Sequence, residues 1–251
     1  MRVIFPESEN PIIKEALVSF PDLEVVPAPD LETATDMLAR GEADSMVSGL
    51  DYSSRDVLLA YKAKIPLSSP FFSSCFVGKK DGKRLIIADG GVNKIPSKEQ
   101  LYTIVEDTAK TCEIYFKETP RIAMLSYSTK GSGGKNPDLE KIYYVIDEIN
   151  KNHPEWQIDG EMQLDAAIDP RVGEKKVGNS EVAGHANVLI TPDLNSGNIL
   201  YKSMEHLGGW TMAGPIIQGF SLPLADLSRG SSVEDVILTI DVIVKMLERN
   251  A

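Results

Sequence analysis

Short apolar runs alternate with amphipathic stretches along the first third of the chain, and this alternation restricts the possible folds more than any other feature. "RVIF" at 2–5, "LEVVPAP" at 23–29 and "SMVSGL" at 45–50 read as strands. Between them lie a helix with Ile12, Ile13, Ala16 and Leu17 on one face, and the stretch "LETATDMLARG", which ends in a glycine. "SSRDVLLAYKAK" follows as a helix capped by Ser53 or Ser54. Strands joined through helices run parallel, because a parallel pair needs a long crossover and a helix supplies it. The spacing therefore predicts a parallel sheet covered by helices.

The texture changes at "PLSSP", 66–70, after which "FFSSCFVGKKDGKRLIIADGG" reads as two strands joined by a Lys-Asp-Gly turn. A helix at 97–116 and the strand "RIAMLSYS" come next, and the strand runs into the glycine-rich "STKGSGG". "DLEKIYYVIDEINKN" is an amphipathic helix, "VAGHANVLITPDLNSGNILYKSMEHLGGW" a buried strand, polar turn and helix, and "SSVEDVILTIDVIVKMLERN" the last helix. If "PLSSP" and "SLP" at 221–223 are both joints, residues 1–65 and 223–251 form one domain and 66–222 the other.

With 42% hydrophobic residues the 251-residue chain can bury a sizeable core. A formal net charge of −11 argues against nucleic acid or an anionic membrane as partner, so a phosphate-bearing ligand needs a local basic pocket. Cys75 and Cys112 stand far apart in sequence and are expected reduced and buried, and His153, His185 and His206 show no ligand spacing, so no metal is expected. The first residues lack a long apolar run and no stretch approaches the ~20 apolar residues of a membrane helix, so a cytoplasmic location is expected.

Three stretches carry candidate chemistry. In "DLSRGSSVED", 226–235, the apolar residues from Val233 to Leu247 keep the helical period, so a helix starts near Ser231 or Ser232, and Ser232 with Asp235 or Ser231 with Glu234 fits a capping box. Capping does not account for Ser228, Arg229 and Gly230, since a cation at a helix N-terminus opposes the dipole unless an anion lies between them. In "LSYSTKGSGGK" the side chains of Ser128, Thr129, Lys130 and Ser132, with the amides around Gly131, suit a phosphate, or form a flexible loop with solvated lysines. The GxxxxGK[ST] arrangement of a Walker A loop is absent. In "TPDLNSGNILYK", Asp193, Asn195 and Asn198 follow a buried strand, at the edge where α/β sheets bind ligands, and equally fit Asx turns.

Taken together and in order, "GEADSMVSG", "AMLSYSTKGSG", "DGEMQLDAA", "VAGHANVLITPDLNSGNILYK", "GPIIQG" and "DLSRGSS" resemble the phosphate acetyltransferase and phosphate butyryltransferase family. The resemblance is dense from about Arg121 onward. It implies an α/β fold of two domains with a central cleft, isocitrate/isopropylmalate dehydrogenase-like, in a homodimer. It implies transfer of a short acyl group, acetyl foremost, between coenzyme A and inorganic phosphate, with coenzyme A or acetyl-CoA as substrate and no permanently bound cofactor. Ser228 and Arg229 fall at the family's phosphate and acyl-phosphate site, and Asp235 at its base for the coenzyme A thiol. Ser128, Thr129, Lys130, Gly131, Ser132, Asn195, Gly230, Tyr52, Ser53 and Ser54 are the expected substrate contacts. Where the family has arginine, this chain has Leu59 and His206. Those replacements frame a second reading: a weak or inactive homologue that binds phosphate, acyl phosphate or a partner as a regulator.

Overall fold

The structure, a computed structural model, describes residues 1–250. The chain folds into two compact units, Met1–Phe72 with the chain from Thr211 onward, and Ser73–Trp210.

In the first unit the strands are β1 (Arg2–Phe5), β2 (Glu24–Pro27), β3 (Ser45–Ser48), β9 (Thr211–Gln218) and β10 (Leu224–Asp226), in the order β2-β1-β3-β10-β9. Strands β1, β2, β3 and β10 run parallel, and β9 runs antiparallel to β10. The helices are α1 (Pro11–Leu17), α2 (Leu31–Ala39), α3 (Ser54–Lys64) and α9 (Val233–Asn250). Their starts follow the expected chemistry: Asn10 accepts from the Ile12 amide, Asp30 from that of Thr33 and Ser53 from that of Asp56. The core between sheet and helices holds Ile4, Leu38, Met46, Val57, Tyr61 and Leu224, all fully or almost fully buried. Within this unit "PLSSP" and the chain before "SLP" lie side by side, with Ser68 N donating to Gly219 O, Ser221 N to Pro66 O, and Leu67 bridging to Phe220.

In the second unit β4 (Ser73–Lys80), β5 (Lys83–Ala88), β6 (Arg121–Leu125), β7 (Gln157–Met162) and β8 (Val188–Ile190) form the order β4-β5-β8-β6-β7. The β4–β5 hairpin closes through Asp81 (φ 48) and Gly82 (φ 76), both left-handed as a tight hairpin turn requires. The remaining pairs are parallel. Helices α4 (Lys98–Phe116), α5 (Pro137–Asn152), α6 (Leu164–Ile168), α7 (Pro170–Lys176) and α8 (Leu194–His206) complete the unit, and Ser97 and Gln100 close a full capping box on α4. Both cysteines are free and buried, with burial pushing the thiol of Cys112 up to about 12.

The parallel sheet expected from the alternation holds for β1, β2 and β3, and the hairpin read at 71–91 makes β4 and β5 antiparallel; the antiparallel strand that the sequence did not announce is β9 against β10. The alternation that forecast parallel strands does not extend to either pair, since the connections there are short and carry no crossover helix.

Gly49 shows how tightly β3 and β10 meet at their carboxyl ends. It sits at φ +123, and a Cβ there would lie 2.4 Å from the Leu227 carbonyl oxygen and 2.6 Å from Asp226 Oδ1. Gly49→Ala is expected to cost about 3 kcal/mol or more, combining strain at positive φ with overpacking. Thermal denaturation checks this; an unchanged Tm refutes the close approach.

Candidate active site

At the carboxyl end of β1 the chain turns through Glu7, whose side chain is buried and acts as a hub for the loop after β3. Its Oε2 accepts from Ser48 Oγ (2.9 Å) and the Gly49 amide (2.8 Å), and its Oε1 from the amides of Asp51 (2.5 Å) and Tyr52 (3.3 Å). This carboxylate holds the segment that delivers Tyr52, Ser53 and Ser54. Tyr52 packs half-buried against the core, and Ser53 both caps α3 and donates to Asp56 Oδ2 at 2.7 Å. The Ser54 hydroxyl bonds the carboxyl of Asp226, the residue that opens "DLSRGSS".

Asp226 is 1% exposed and its Oδ1 accepts no hydrogen bond. Burial pushes its pKa up to about 7, the Ser54 hydroxyl opposes that rise, and the nearby Glu7 adds to it. Beyond Asp226 the Leu227 amide donates to Ser48 O, and the chain leaves the sheet into Ser228, Arg229 and Gly230. Ser228 Oγ accepts from the Gly230 amide at 3.3 Å, Ser228 is half-buried, and Arg229 and Gly230 are exposed. Among the described residues Arg229 has no carboxylate partner, and the amides of Ser228 and Arg229 have no acceptor.

The helix start expected at Ser231 or Ser232 resolves to Ser232 as cap. Ser232 Oγ accepts from the Asp235 amide (3.2 Å), while Asp235 Oδ2 accepts from the Ser232 amide (2.9 Å) and hydroxyl (2.7 Å). Asp235 Oδ1 also accepts from the Met212 amide at 2.8 Å, tying the helix to β9. Asp235 is 5% exposed and receives three hydrogen bonds, so it is a complete structural cap whatever else it does.

In the second unit the glycine-rich loop after β6 is folded around a buried carboxylate of its own. Glu161 Oε1 accepts from Ser128 Oγ (2.7 Å) and the Gly131 amide (2.7 Å), and Oε2 from the Tyr143 hydroxyl. Burial alone would raise its pKa, but these donors outweigh it and hold the carboxyl below its ordinary value. The other loop amides also turn inward: Ser128 N to Ser126 Oγ, Thr129 N to Ser132 Oγ, Lys130 N to Glu161 O, Ser132 N to Thr129 O, Gly133 N to Ser128 Oγ and Gly134 N to Gly131 O. The Lys130 ammonium pairs with Asp159. Asn195 is exposed on the first turn of α8, which Asp193 caps through the Ser196 amide, so an Asx cap accounts for Asp193.

The structure thus brings Ser54 to the head of "DLSRGSS" in the first unit, while Ser128–Ser132 and Asn195 belong to the second. Among the described residues no three His, Cys, Asp or Glu side chains are grouped to hold a metal ion, and no helix is long and apolar enough to cross a membrane. Glu7, Asp226 and Glu161 did not emerge from the sequence as site residues. The available signal was an acidic residue at the carboxyl end of a buried strand, on its last residue in "LAD" for Asp226 and two residues beyond it in "RVIFPE" for Glu7.

A family model described as Phosphate acetyl/butaryl transferase matches residues 18–244. The chain belongs to this family. It is 40% identical over 218 residues to a phosphate acetyltransferase of Treponema pallidum, covering 82% of this chain and 65% of that protein. A phosphate acetyltransferase of Bacillus subtilis is 39% identical over 206 residues, covering 80% of this chain and 62% of that protein. The chain thus spans under two thirds of the length of these two curated relatives. A crystal structure of a phosphotransacetylase from Streptococcus pyogenes superposes with a TM-score of 0.86 at 29% identity, covering 99% of this chain and 94% of that one.

Within this phosphate acetyl/butaryl transferase fold, Asp226 gives a pH-dependent prediction. Its folded pKa is about 7 against an ordinary 3.8, so between those values the folded protein keeps a proton that the unfolded chain has released. Stability is therefore lost as pH rises from about 4 to about 7 and stays level above, by at most about 4 kcal/mol. Asp226→Asn removes the loss. Its Tm relative to wild type is expected to climb across that window; a difference independent of pH would show that Asp226 ionises normally.

Proposed function

We propose that the protein is a phosphate acyltransferase that moves a short acyl group, acetyl foremost, between coenzyme A and inorganic phosphate, with no permanently bound cofactor. The observation that carries this reading is the state of "DLSRGSS". Among the described residues Arg229 is exposed and unpaired beside amides that have no acceptor, four residues before the first residue of an 18-residue helix, at the end where an anion is favoured. Ser228, Arg229 and Gly230 are the proposed contacts to phosphate and to the phosphoryl group of acyl phosphate. They stabilise the charge that develops as the thioester carbonyl and phosphate exchange partners.

The coenzyme A thiol must lose its proton to attack an acyl phosphate, and with a pKa near 8.5 it is only a few per cent ionised at neutral pH. Asp235 is the proposed acceptor. Asp235 accepts three bonds, two on Oδ2 and one on Oδ1, so Oδ1 keeps a lone pair beside the Met212 bond for the thiol proton. Tyr52, Ser53, Ser54, Ser128, Thr129, Lys130, Ser132 and Asn195 are proposed to contact the substrates through their side chains, since the loop amides of 128–134 are engaged internally, and Gly131 through the open space beside its Cα. Proposals of the same standing are a two-domain, isocitrate/isopropylmalate dehydrogenase-like organisation, with the joints expected at 65/66 and 222/223 moved to the 72/73 and 210/211 boundaries of the two compact units, a homodimer, as the family resemblance implies, and a cytoplasmic location.

The three capping bonds that Asp235, 5% exposed, already accepts also favour a second reading, a weak or inactive homologue that binds phosphate or acyl phosphate as a regulator. One assay separates the two: purified protein with coenzyme A and acetyl, propionyl or butyryl phosphate, followed by thioester formation. Turnover is expected, and Arg229→Ala is expected to lower kcat/KM by about 100-fold or more. No turnover with any acyl chain, together with saturable phosphate binding, supports the regulator. Asp235→Ala is expected to lose about 100-fold in kcat; a folded variant with full kcat assigns Asp235 to capping alone.

A further inference from the structure

The second unit contains a cavity of about 460 Å³ that none of the chemistry above uses. It lies where the strands begin: Arg84 is the second residue of β5, Arg121 the first of β6, and Asn187 directly precedes β8. The glycine-rich loop leaves the other end of β6, so the length of that strand, roughly 13 Å, separates the two. In a chain of net charge −11, the cavity wall gathers Lys83, Arg84 and Arg121 against a single carboxylate, Glu118. Beside these charges it is apolar, with Phe116, Leu85 and Trp210 among the lining residues.

The cations are fixed in place and only partly satisfied. The Arg84 guanidinium stacks over the Phe116 ring, 4.8 Å from its centroid, and pairs with Glu118. Arg121 donates from Nε to His185 O at 2.6 Å and approaches Glu118 Oε2 at 3.6 Å through Nη2. Each guanidinium has five N–H donors, so two planar forks share one carboxylate and keep most of their donors open. Among the described residues the Lys83 ammonium and the Trp210 indole N–H have no partner. Fixed guanidiniums next to an aromatic wall match a ligand that carries a planar oxyanion on a flat apolar group.

We infer that this cavity is a second ligand site, for a small organic anion that joins an aromatic or similarly flat apolar group to one carboxylate. The carboxylate lies against Arg84 and Arg121 in place of or beside Glu118, and the ring lies against Trp210, with Phe116 holding Arg84 from behind. The inference does not rest on acyl transfer.

Trp156 and Trp210 are the two tryptophans, so Trp156→Phe leaves Trp210 as the sole reporter at the cavity. In that background benzoate is the probe, read by Trp210 emission and by calorimetry, with benzyl alcohol as the uncharged control. Saturable binding of benzoate is expected, about 10-fold or more tighter than benzyl alcohol. Arg84→Gln, checked for folding by circular dichroism, is expected to weaken benzoate by about 10-fold, and Glu118→Gln, which frees both guanidiniums, to tighten it about 3-fold or more. Ser228→Ala is expected to leave benzoate binding unchanged. Absence of saturation, equal binding of benzyl alcohol, indifference to Arg84→Gln and Glu118→Gln, or loss of binding in Ser228→Ala each overturns the inference; the last would place benzoate at the proposed phosphate site. The outcome is independent of whether the thioester assay shows turnover.

Discussion

Buried carboxylates organise the loops at the carboxyl ends of the strands, and the placement of the candidate residues on those loops depends on them. A loop leaving a sheet exposes backbone N–H groups that need an acceptor once water is excluded. Here Glu7 serves the segment 48–52, Asp89 accepts from the amides of Gly91, Val92 and Asn93, and Glu161 holds the turn at Ser128–Gly131. Each acts as an internal anion in a cradle of donors. A charged acceptor makes these bonds stronger than neutral pairs, which offsets the cost of burying the charge.

Asp226 stands apart from that group. Its position on β10 places it against the Gly49 backbone, with an oxygen that nothing donates to and with Glu7 nearby. The same burial that makes a cradled carboxylate rigid makes an uncradled one reluctant to ionise. The first unit therefore carries a buried carboxyl that titrates near neutrality, two residues ahead of Ser228 and three ahead of Arg229.

How much of this was legible depended on range in sequence. Helix caps and the Asp81–Gly82 hairpin were readable because their partners lie within four residues: Ser53 with Asp56, Ser232 with Asp235, Asp193 with Ser196. The three strands β7, β9 and β10 and the helices α6 and α7 were not. In β7 the run "QIDGEM" has no clean alternation, and β9 contains Gly214 and Pro215, residues that ordinarily argue against a strand. The carboxylate hubs were hidden for a different reason. Glu7 reaches 41 to 45 residues ahead and Glu161 reaches 30 to 33 residues back, and no local pattern encodes a partner at that distance.

This contrast also separates the two glycine-containing segments that looked alike as sequence. Both offer hydroxyls, a cation and flexible backbone, and both suit phosphate by composition. In "STKGSGG" the seven amides from Ser128 to Gly134 have internal acceptors and the lysine pairs with Asp159, so an incoming anion gains no free main-chain donor there. In "DLSRGSS" the carboxylate of Asp235, at the start of the same helix, is already occupied by Ser232 and Met212. Capping chemistry thus does more than start a helix. By engaging Asp235 it leaves Arg229, three residues ahead of the cap, without an internal partner, and a guanidinium in that position opposes the helix dipole until an anion joins it.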